Sequence, residues 1–384
     1  MSDDLIKLIA FYLPQFHPIK ENDEWWGRGF TEWTNVAKAK PLAKWHYQPH
    51  IPIDVSFYDL RILDIMRRQI ELAKQYGLYG FCFHYYWFSG GKRLLELPIF
   101  NYLNNKDLNF PFCLCWANEP WSRRWDGSEK DILMPQEISK RDYSLFIKDI
   151  EQFFTDSRYI TIENKPVLVI YRPNLWQADI IKEMTDYWRK YFYDKYKREL
   201  YIAGAMSFGF GSQSEDRGLD AMIEFPPFGM NNTRINAILR LYYKILGFKG
   251  TIYDMNKCSI KRGDEKRAVL KGIFPSWDNT PRKGNRAFIY KNTSPLKYQQ
   301  LLEEIIRITK EKNSKNEQMI FINAWNEWGE GAHLEPCIKY DYQFLEATKR
   351  AIKNAYNYDE KGYQEFLNHL KIDDTVRGGG GIVP

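Results

Sequence analysis

Short apolar segments alternate with amphipathic ones along the chain, and this alternation most constrains the fold. Eight apolar segments bounded by turn residues lie at 7–13, 79–85, 110–116, 167–171, 200–205, 221–225, 272–278 and 319–325. Helical spacing of apolar residues recurs at 60–76, 93–104, 141–154, 175–196, 296–309 and 340–356. This pattern predicts parallel strands joined by right-handed helical crossovers, and eight such units close into a (β/α)8 TIM barrel. A doubly wound open sheet is the alternative, but no Gly-x-Gly-x-x-Gly follows the first strand.

Two stretches interrupt the alternation. The roughly forty residues after the first strand have no apolar period but are dense in aromatic and polar side chains. They are too aromatic for a disordered segment, so we expect an ordered loop over a site. A small helical insertion is predicted at 235–245, after the sixth strand. We expect residues 1–370 to form a single barrel domain and residues 371–384 to form a flexible tail.

Composition narrows the class of ligand. Aromatic residues make up 16% of the 384-residue chain, with 13 Trp and 26 Tyr, which indicates a surface that stacks on ring-shaped ligands. The formal charge of +6 is spread along the chain without a basic arm, so no nucleic-acid partner is expected. The five Cys do not suggest a disulfide framework. Neither a leader nor an apolar run of membrane-spanning length is visible, which predicts a cytoplasmic protein without an integral membrane segment. The oligomeric state is left open.

Two carboxylates follow the last predicted strand, three residues apart. Glu327 and Glu330 lie in the segment WNEWGEG at 325–331, where Trp325 and Trp328 flank them. Cleavage of a glycosidic bond commonly uses two carboxylates, and their mutual repulsion raises the pKa of one toward that of an acid. The same residues would also suit the first turn of a helix, where acidic side chains are favourable. We predict Glu327 and Glu330 as the catalytic pair.

Further carboxylates follow other predicted strands, at the face where a barrel carries its active site. These are Glu119, Glu224 and Asp278. Glu119 is the rival catalytic candidate, and its alternative role is an ion pair with Arg123 or Arg124.

Other residues after strand ends suit contact with a sugar, through aromatic faces or hydrogen-bonding groups. The predicted substrate-binding set is His17, Trp26, His84, Tyr85, Trp87, Asn118, Glu119, Trp121, Arg172, Glu224, Trp277 and Asn326. Of the eight candidate sugar platforms, which are the aromatic members of this set together with Trp33, Trp116 and Trp325, fewer than half are expected to be exposed. His84 and His17 have structural hydrogen bonding as their alternative. Neither a metal nor a cofactor is expected, because no His-Glu-x-x-His, Cys/His ligand spacing, Ca²⁺ loop or P-loop occurs. A Gly-x-Ser-x-Gly nucleophile motif is also missing.

Several segments resemble known families. The segments AFYLPQFHP at 10–18, NDEWWGRGFTEWTN at 22–35 and HYQPH at 46–50 are similar to the opening signature of the WbsX family. The segment WANEPW at 116–121 fits the same family pattern. Proteins of that family occur in bacterial polysaccharide loci and are often labelled glycosyltransferases. The segment WNEWGEG at 325–331 resembles the motif shared with glycoside hydrolase family 99, the endo-α-mannosidases.

The resemblance to family 99 implies a (β/α)8 barrel and separate roles for the two glutamates. Glu330 would be the general acid/base, and Glu327 would deprotonate the sugar 2-hydroxyl, giving an epoxide-like intermediate and retention. We therefore predict a retaining glycosidase of bacterial cell-surface polysaccharide metabolism, acting on an oligosaccharide or polysaccharide. A glycosyltransferase or transglycosidase in O-antigen or capsule biosynthesis is the first alternative, although no Asp-x-Asp motif is present. A non-catalytic carbohydrate-binding barrel is the second.

Overall fold

Parallel strands close into a barrel at the centre of the molecule. The computed structural model describes residues 5–123, 128–211, 216–228, 230, 233–260 and 268–370. Within these residues eight barrel strands are numbered in chain order: β1 Lys7–Tyr12, β2 Gly80–Phe88, β3 Phe112–Trp116, β4 Lys165–Ile170, β5 Tyr201–Met206, β6 Ala221–Glu224, β7 Ala268–Ile273 and β8 Met319–Ile322.

The sheet closes because β1 pairs in parallel with strands on both of its sides. Ile9 lies opposite Gly80 of β2 and opposite Phe321 of β8. The remaining neighbours are parallel as well, in the order β2, β3, β4, β5, β6, β7, β8. Strands covered on both faces need apolar side chains at nearly every position, and all nine residues of β2 are buried. The predicted (β/α)8 barrel is confirmed.

Amphipathic helices cover the outside of the barrel. They span Leu63–Gln75, Leu97–Asn104, Lys140–Phe154, Ala178–Tyr196, Pro295–Lys312, Gln343–Tyr356 and Glu360–Leu370. In Lys140–Phe154, a capping box between Ser139 and Asp142 fixes the start of the helix, and Phe146 and Ile150 are buried. None of the helices in the described ranges has both the length and the apolarity that crossing a bilayer requires.

Both predicted interruptions are present. The segment after β1 is ordered and holds two short helices, Lys20–Trp26 and Glu32–Lys38. Trp33 anchors it by donating its indole N–H to the Tyr58 carbonyl at 2.8 Å. The insertion after β6 contains the helix Ala237–Ile245. The strand Thr251–Asp254, which follows that helix, pairs with Phe288–Lys291, which follows β7.

Some predicted boundaries differ from the structure. β7 begins at Ala268 rather than 272 and ends at Ile273, so Trp277 lies in the loop that follows. The helix predicted from residue 93 begins at Leu97, because Lys92–Leu94 pairs antiparallel with the end of β2.

The last helix was not predicted, nor were the short helices in the loops, and the predicted tail lies outside the described residues. The helix Glu360–Leu370 packs against Gly77, where an added Cβ would lie 2.9 Å from the Tyr363 hydroxyl. The tail at 371–384 is not among the residues that the structure describes.

Candidate active site

A cavity of about 670 Å³ opens at the carboxyl ends of the barrel strands. Seven of the residues predicted for the site line it: Trp26, His84, Glu119, Trp121, Trp277, Glu327 and Glu330. Four of these are large aromatic or imidazole rings and three are carboxylates, so the wall offers both ring faces and acid/base groups.

One arginine holds three carboxylates together in this cavity. The Arg282 guanidinium donates from Nε to Glu32 at 2.9 Å and from Nη2 to Glu327 at 2.9 Å. Its third nitrogen, Nη1, lies 3.1 Å from Glu330 Oε1. Glu330 is the more open of the predicted pair, with 25% of its side chain exposed against 7% for Glu327. Glu327 and Glu330 are therefore fixed on one positive charge, with Glu330 the more accessible from the cavity.

Direct hydrogen bonds tie the loop after β8 to the loops that follow β1 and β7. The Asn326 amide accepts from the Leu13 N–H at 2.8 Å and donates to the Leu13 carbonyl at 3.0 Å, which ties the loop to the end of β1. The Asp278 N–H donates to the Glu330 carbonyl at 2.7 Å and ties it to the loop after β7. A Cβ on Gly329 would lie 2.1 Å from Glu32 Oε1, so only glycine leaves room for the carboxylate there.

A buried carboxylate lies behind this loop. Glu335 accepts from the indole N–H groups of Trp325 at 3.1 Å and Trp328 at 2.7 Å, the two residues that flank Asn326 and Glu327 in sequence. It also accepts from Gln69 at 2.6 Å and from the Tyr58 hydroxyl at 2.8 Å. Burial raises the pKa of Glu335 to about 7. Glu335 thus fixes both tryptophans without facing the cavity.

Burial and the positive charge of Arg282 shift the pKa values of the carboxylate pair in opposite directions. Loss of hydration raises the pKa of Glu327 and of Glu330 above the usual range, and the Arg282 guanidinium lowers both again. The charge of Glu330 raises the pKa of Glu327 further. Burial also lowers the pKa of His84 to about 4, so its imidazole is neutral at pH 7. The pair is suited to share one proton near neutral pH. An acid and a base that work together need this arrangement, because one carboxyl group must be protonated while the other is ionised.

Glu119 lies in the cavity wall and forms an ion pair. Its carboxylate is 2.7 Å from Arg172 Nη1, and the Arg172 guanidinium packs over the Phe208 ring at 4.5 Å. The ion pair considered from the sequence was with Arg123 or Arg124, whose side chains lie outside the described residues. The alternative role for Glu119 is therefore present with a different arginine.

Seven residues of the predicted substrate-binding set are not among those that line the cavity. They are His17, Tyr85, Trp87, Asn118, Arg172, Glu224 and Asn326. Asn326 binds Leu13, as described above. Asn118 exchanges hydrogen bonds with the Arg172 backbone at 2.8 and 2.9 Å, which joins the ends of β3 and β4. The Glu224 carboxylate pairs with Lys271 at 2.8 Å, between β6 and β7.

The remaining three contact the protein interior. His17 is 1% exposed, and its Nδ1 lies 3.1 Å from the Pro18 carbonyl. Tyr85 donates to Asp149 at 2.5 Å, on the helix Lys140–Phe154. Trp87 packs edge-on against Phe146 of the same helix, with centroids 5.2 Å apart.

Several cavity residues were missed in the sequence. Arg282 lies on a four-residue helix, Thr280–Lys283, in a segment without apolar periodicity, and Glu32 lies in the aromatic loop. Tyr86, which also lines the cavity, accompanies His84 on β2. Alternation along β2 places His84 and Tyr86 on one face and Tyr85 and Trp87 on the other, and this signal was available.

Among the residues that the structure describes, no group of three or more His, Cys, Asp or Glu side chains is arranged to hold a metal ion.

The fold and the site together define a (β/α)8 barrel whose C-terminal mouth carries a carboxylate pair on a shared arginine. Residues 8–348 match the family described as Glycosyltransferase WbsX, and the chain belongs to this WbsX family. The WxcX protein of Xanthomonas campestris pv. campestris strain B100 is 40% identical over 353 residues. That alignment covers 91% of this chain and 50% of WxcX, so the chain spans about half the length of the curated relatives it matches.

Solved structures share the fold. The GH99 endo-α-mannosidase of Bacteroides thetaiotaomicron in complex with bis-tris-propane superposes with a TM-score of 0.56 at 11% identity, covering 91% of this chain and 97% of that chain. A second structure of this enzyme gives a TM-score of 0.54 at 13% identity, covering 96% and 98%. A glycoside hydrolase-like protein gives 0.55 at 14% identity, covering 92% and 95%. At these identities the likeness concerns the fold alone.

Proposed function

We propose that this chain is a carbohydrate-active enzyme of polysaccharide metabolism with a glycosidase-type active site built on Glu327 and Glu330. The observation that carries the proposal is the sharing of Arg282 by the two carboxylates, at 2.9 and 3.1 Å, in the wall of the cavity. Trp26, Trp121 and Trp277 line the same cavity and supply faces on which sugar rings pack. The WbsX family and the likeness to family 99 structures support the same class.

The proposed reaction assigns separate proton transfers to the two glutamates, following the resemblance of residues 325–331 to family 99. Glu330 donates a proton to the glycosidic oxygen as the bond to the anomeric carbon breaks. Glu327 accepts the proton of the 2-hydroxyl, whose oxygen attacks the same carbon and closes an epoxide-like ring. Water then opens that ring, giving its proton to Glu330, while Glu327 returns its proton to the sugar. Two inversions give net retention.

The electrostatics of the site support a shared proton on the carboxylate pair, and the division of labour between the two groups follows the family resemblance. The first step needs one protonated and one ionised carboxyl group. Burial raises the pKa of both Glu327 and Glu330, and Arg282 limits the rise. We expect kcat/KM to fall at low pH, where the base is protonated, and at high pH, where the acid has lost its proton. A rate without pH dependence would contradict the assignment.

Activity measurements test the proposal. Wild type, Glu330→Gln and Glu327→Gln would be assayed on defined α-mannosides and on a bacterial cell-surface polysaccharide. We expect each variant to lose at least about a hundredfold in rate, since positioned acid/base groups contribute about 10²–10⁴-fold. Glu365→Gln, at a side chain that is 61% exposed, is the matched control. Equal activity in Glu330→Gln and wild type would contradict the assignment.

A glycosyltransferase or transglycosidase is the second candidate, and the description of the WbsX family favours it. A transglycosidase would use the same carboxylates, with an acceptor sugar in place of water. Titration calorimetry with nucleotide sugars distinguishes a nucleotide-sugar transferase, which binds them, from a glycosidase and from a transglycosidase, which do not. Binding of a nucleotide sugar, together with transfer that survives in Glu330→Gln, would replace the glycosidase proposal.

A further inference from the structure

The helix inserted after β6 presents large apolar side chains to solvent. The helix is Ala237–Ile245, and Ile238 and Ile245 are 80% and 75% exposed. Five exposed residues recur at helical spacing and form what we call the apolar stripe: Ile238, Leu241, Tyr242, Ile245 and Leu246. A surface helix normally turns such a stripe toward a core, so this one lacks a partner within the described residues.

The opposite side of the helix already packs on the protein. Tyr243 is buried in a small cluster with Ile235, Ile252 and Ile289, and Leu239 packs against that cluster. The insertion is therefore anchored without the apolar stripe. Contiguous exposed apolar side chains of this kind mark interaction surfaces.

The surroundings of the apolar stripe are basic. From 225 to 253 the sequence has no Asp or Glu, and it has four basic residues, Arg234, Arg240, Lys244 and Lys249. All four are exposed, and Arg240 and Lys244 lie on the stripe's own helix. An apolar face flanked by Lys and Arg is complementary to the boundary between anionic headgroups and acyl chains.

The insertion is also continuous with the rim of the cavity. The Lys249 N–H donates to the Asn285 carbonyl at 2.8 Å, and the Thr251 N–H donates to the Ala287 carbonyl at 2.9 Å. The next residue, Phe288, lines the cavity and is 46% exposed. A surface that engages the apolar stripe would therefore lie beside the mouth of the barrel.

We propose that the apolar stripe docks this chain on the surface of a bilayer that contains anionic lipid. The stripe enters the headgroup–acyl boundary, and Arg240 and Lys244 contact the anionic headgroups. A second copy of the chain fits less well as the partner. A twofold interface would place the apolar stripe and its basic flank against the same residues of the other copy, which would bring like charges together. The helix lies on the bilayer and does not cross it.

Vesicle flotation of the full chain tests the proposal. Vesicles of phosphatidylcholine alone and of phosphatidylcholine with one quarter phosphatidylglycerol would be compared at low and high salt. We expect binding to the anionic vesicles that weakens with salt. The triple variant Ile238→Ser, Leu241→Ser, Ile245→Ser should bind at least about tenfold more weakly, since most of the inserted apolar area is lost. Replacing Arg240 and Lys244 by Ser should weaken binding roughly tenfold on anionic vesicles only.

The matched control removes exposed apolar residues elsewhere. Tyr193→Ser with Leu296→Ser, at positions 52% and 62% exposed, should bind as wild type does. Failure of wild type to float with anionic vesicles would overturn the proposal, as would equal binding of the triple variant. A further contradictory outcome would be seen by light scattering. In that outcome wild type is a dimer that does not bind vesicles, and the triple variant is a monomer. Unchanged circular dichroism would verify that each variant is folded.

Discussion

Replacing Arg282 by Met should destabilise the protein in a way that depends on pH. The guanidinium lies 2.9 Å from Glu327 and 3.1 Å from Glu330. With about 4 Å between charge centres and an effective dielectric of about 20, each pair gains about 4 kcal/mol of attraction, which desolvation partly offsets. Removing one partner of a buried pair costs about 3–5 kcal/mol, and we expect this loss at pH 8.

At pH 5 the expected loss is smaller, about 1–2 kcal/mol for the missing hydrogen bonds. The folded-state pKa of both carboxyl groups is already raised by burial, and removing the guanidinium raises it further. A raised carboxyl pKa means that the folded state binds more protons than the unfolded state. Stability is therefore retained at low pH and is lost as pH rises from the unfolded pKa, about 4.3, through the folded one.

Urea titration followed by tryptophan fluorescence at pH 5 and pH 8 measures both losses. The control is Arg286→Met, an exposed arginine in the same segment, which should change stability by less than about 0.5 kcal/mol at either pH. A loss for Arg282→Met that is equal at the two pH values, or larger at pH 5, would refute the reasoning.

Two other substitutions have expected results that follow from close contacts. Gly329→Ala should cost about 1–3 kcal/mol in urea titrations and lower activity, because its Cβ would lie 2.1 Å from Glu32 Oε1. Gly211→Ala is the control, since no atom of the described residues lies within 4 Å of an added Cβ there, and an equal loss in both would contradict this explanation. Glu335→Gln should cost about 1–3 kcal/mol, because an amide NH₂ would face the donors Trp328 and Tyr58. Because the raised pKa of Glu335 makes wild type lose stability as pH rises from about 4.3 to about 7, the Gln variant should lack this part of the loss. The same pH dependence in variant and wild type would count against a raised pKa at Glu335.

The barrel was predictable because most of its strands read as continuous apolar runs. β7 was misplaced because Lys271 interrupts its pattern, and that side chain is buried only because Glu224 pairs with it from β6. A contact between residues 47 positions apart leaves no local trace in the sequence. The boundary error therefore has a tertiary cause.

The site was predictable only in part, for a similar reason. Glu327 and Glu330 stand out because they are close in sequence and flanked by aromatic residues. Arg282 and Glu32 are 250 positions apart, and neither lies in a periodic segment, so their pairing becomes visible only in the folded chain. On β2, alternation alone separates the cavity-lining Tyr86 from Tyr85, which faces the covering helix.

The most direct test of the central claim is a crystal structure of Glu330→Gln with a bound oligosaccharide. We predict a glycosidic oxygen within about 2.6–3.2 Å of the side chain at position 330, and the 2-hydroxyl of the same sugar within that distance of Glu327. A saccharide bound in the cavity with both side chains beyond hydrogen-bond reach of that linkage would contradict the claim.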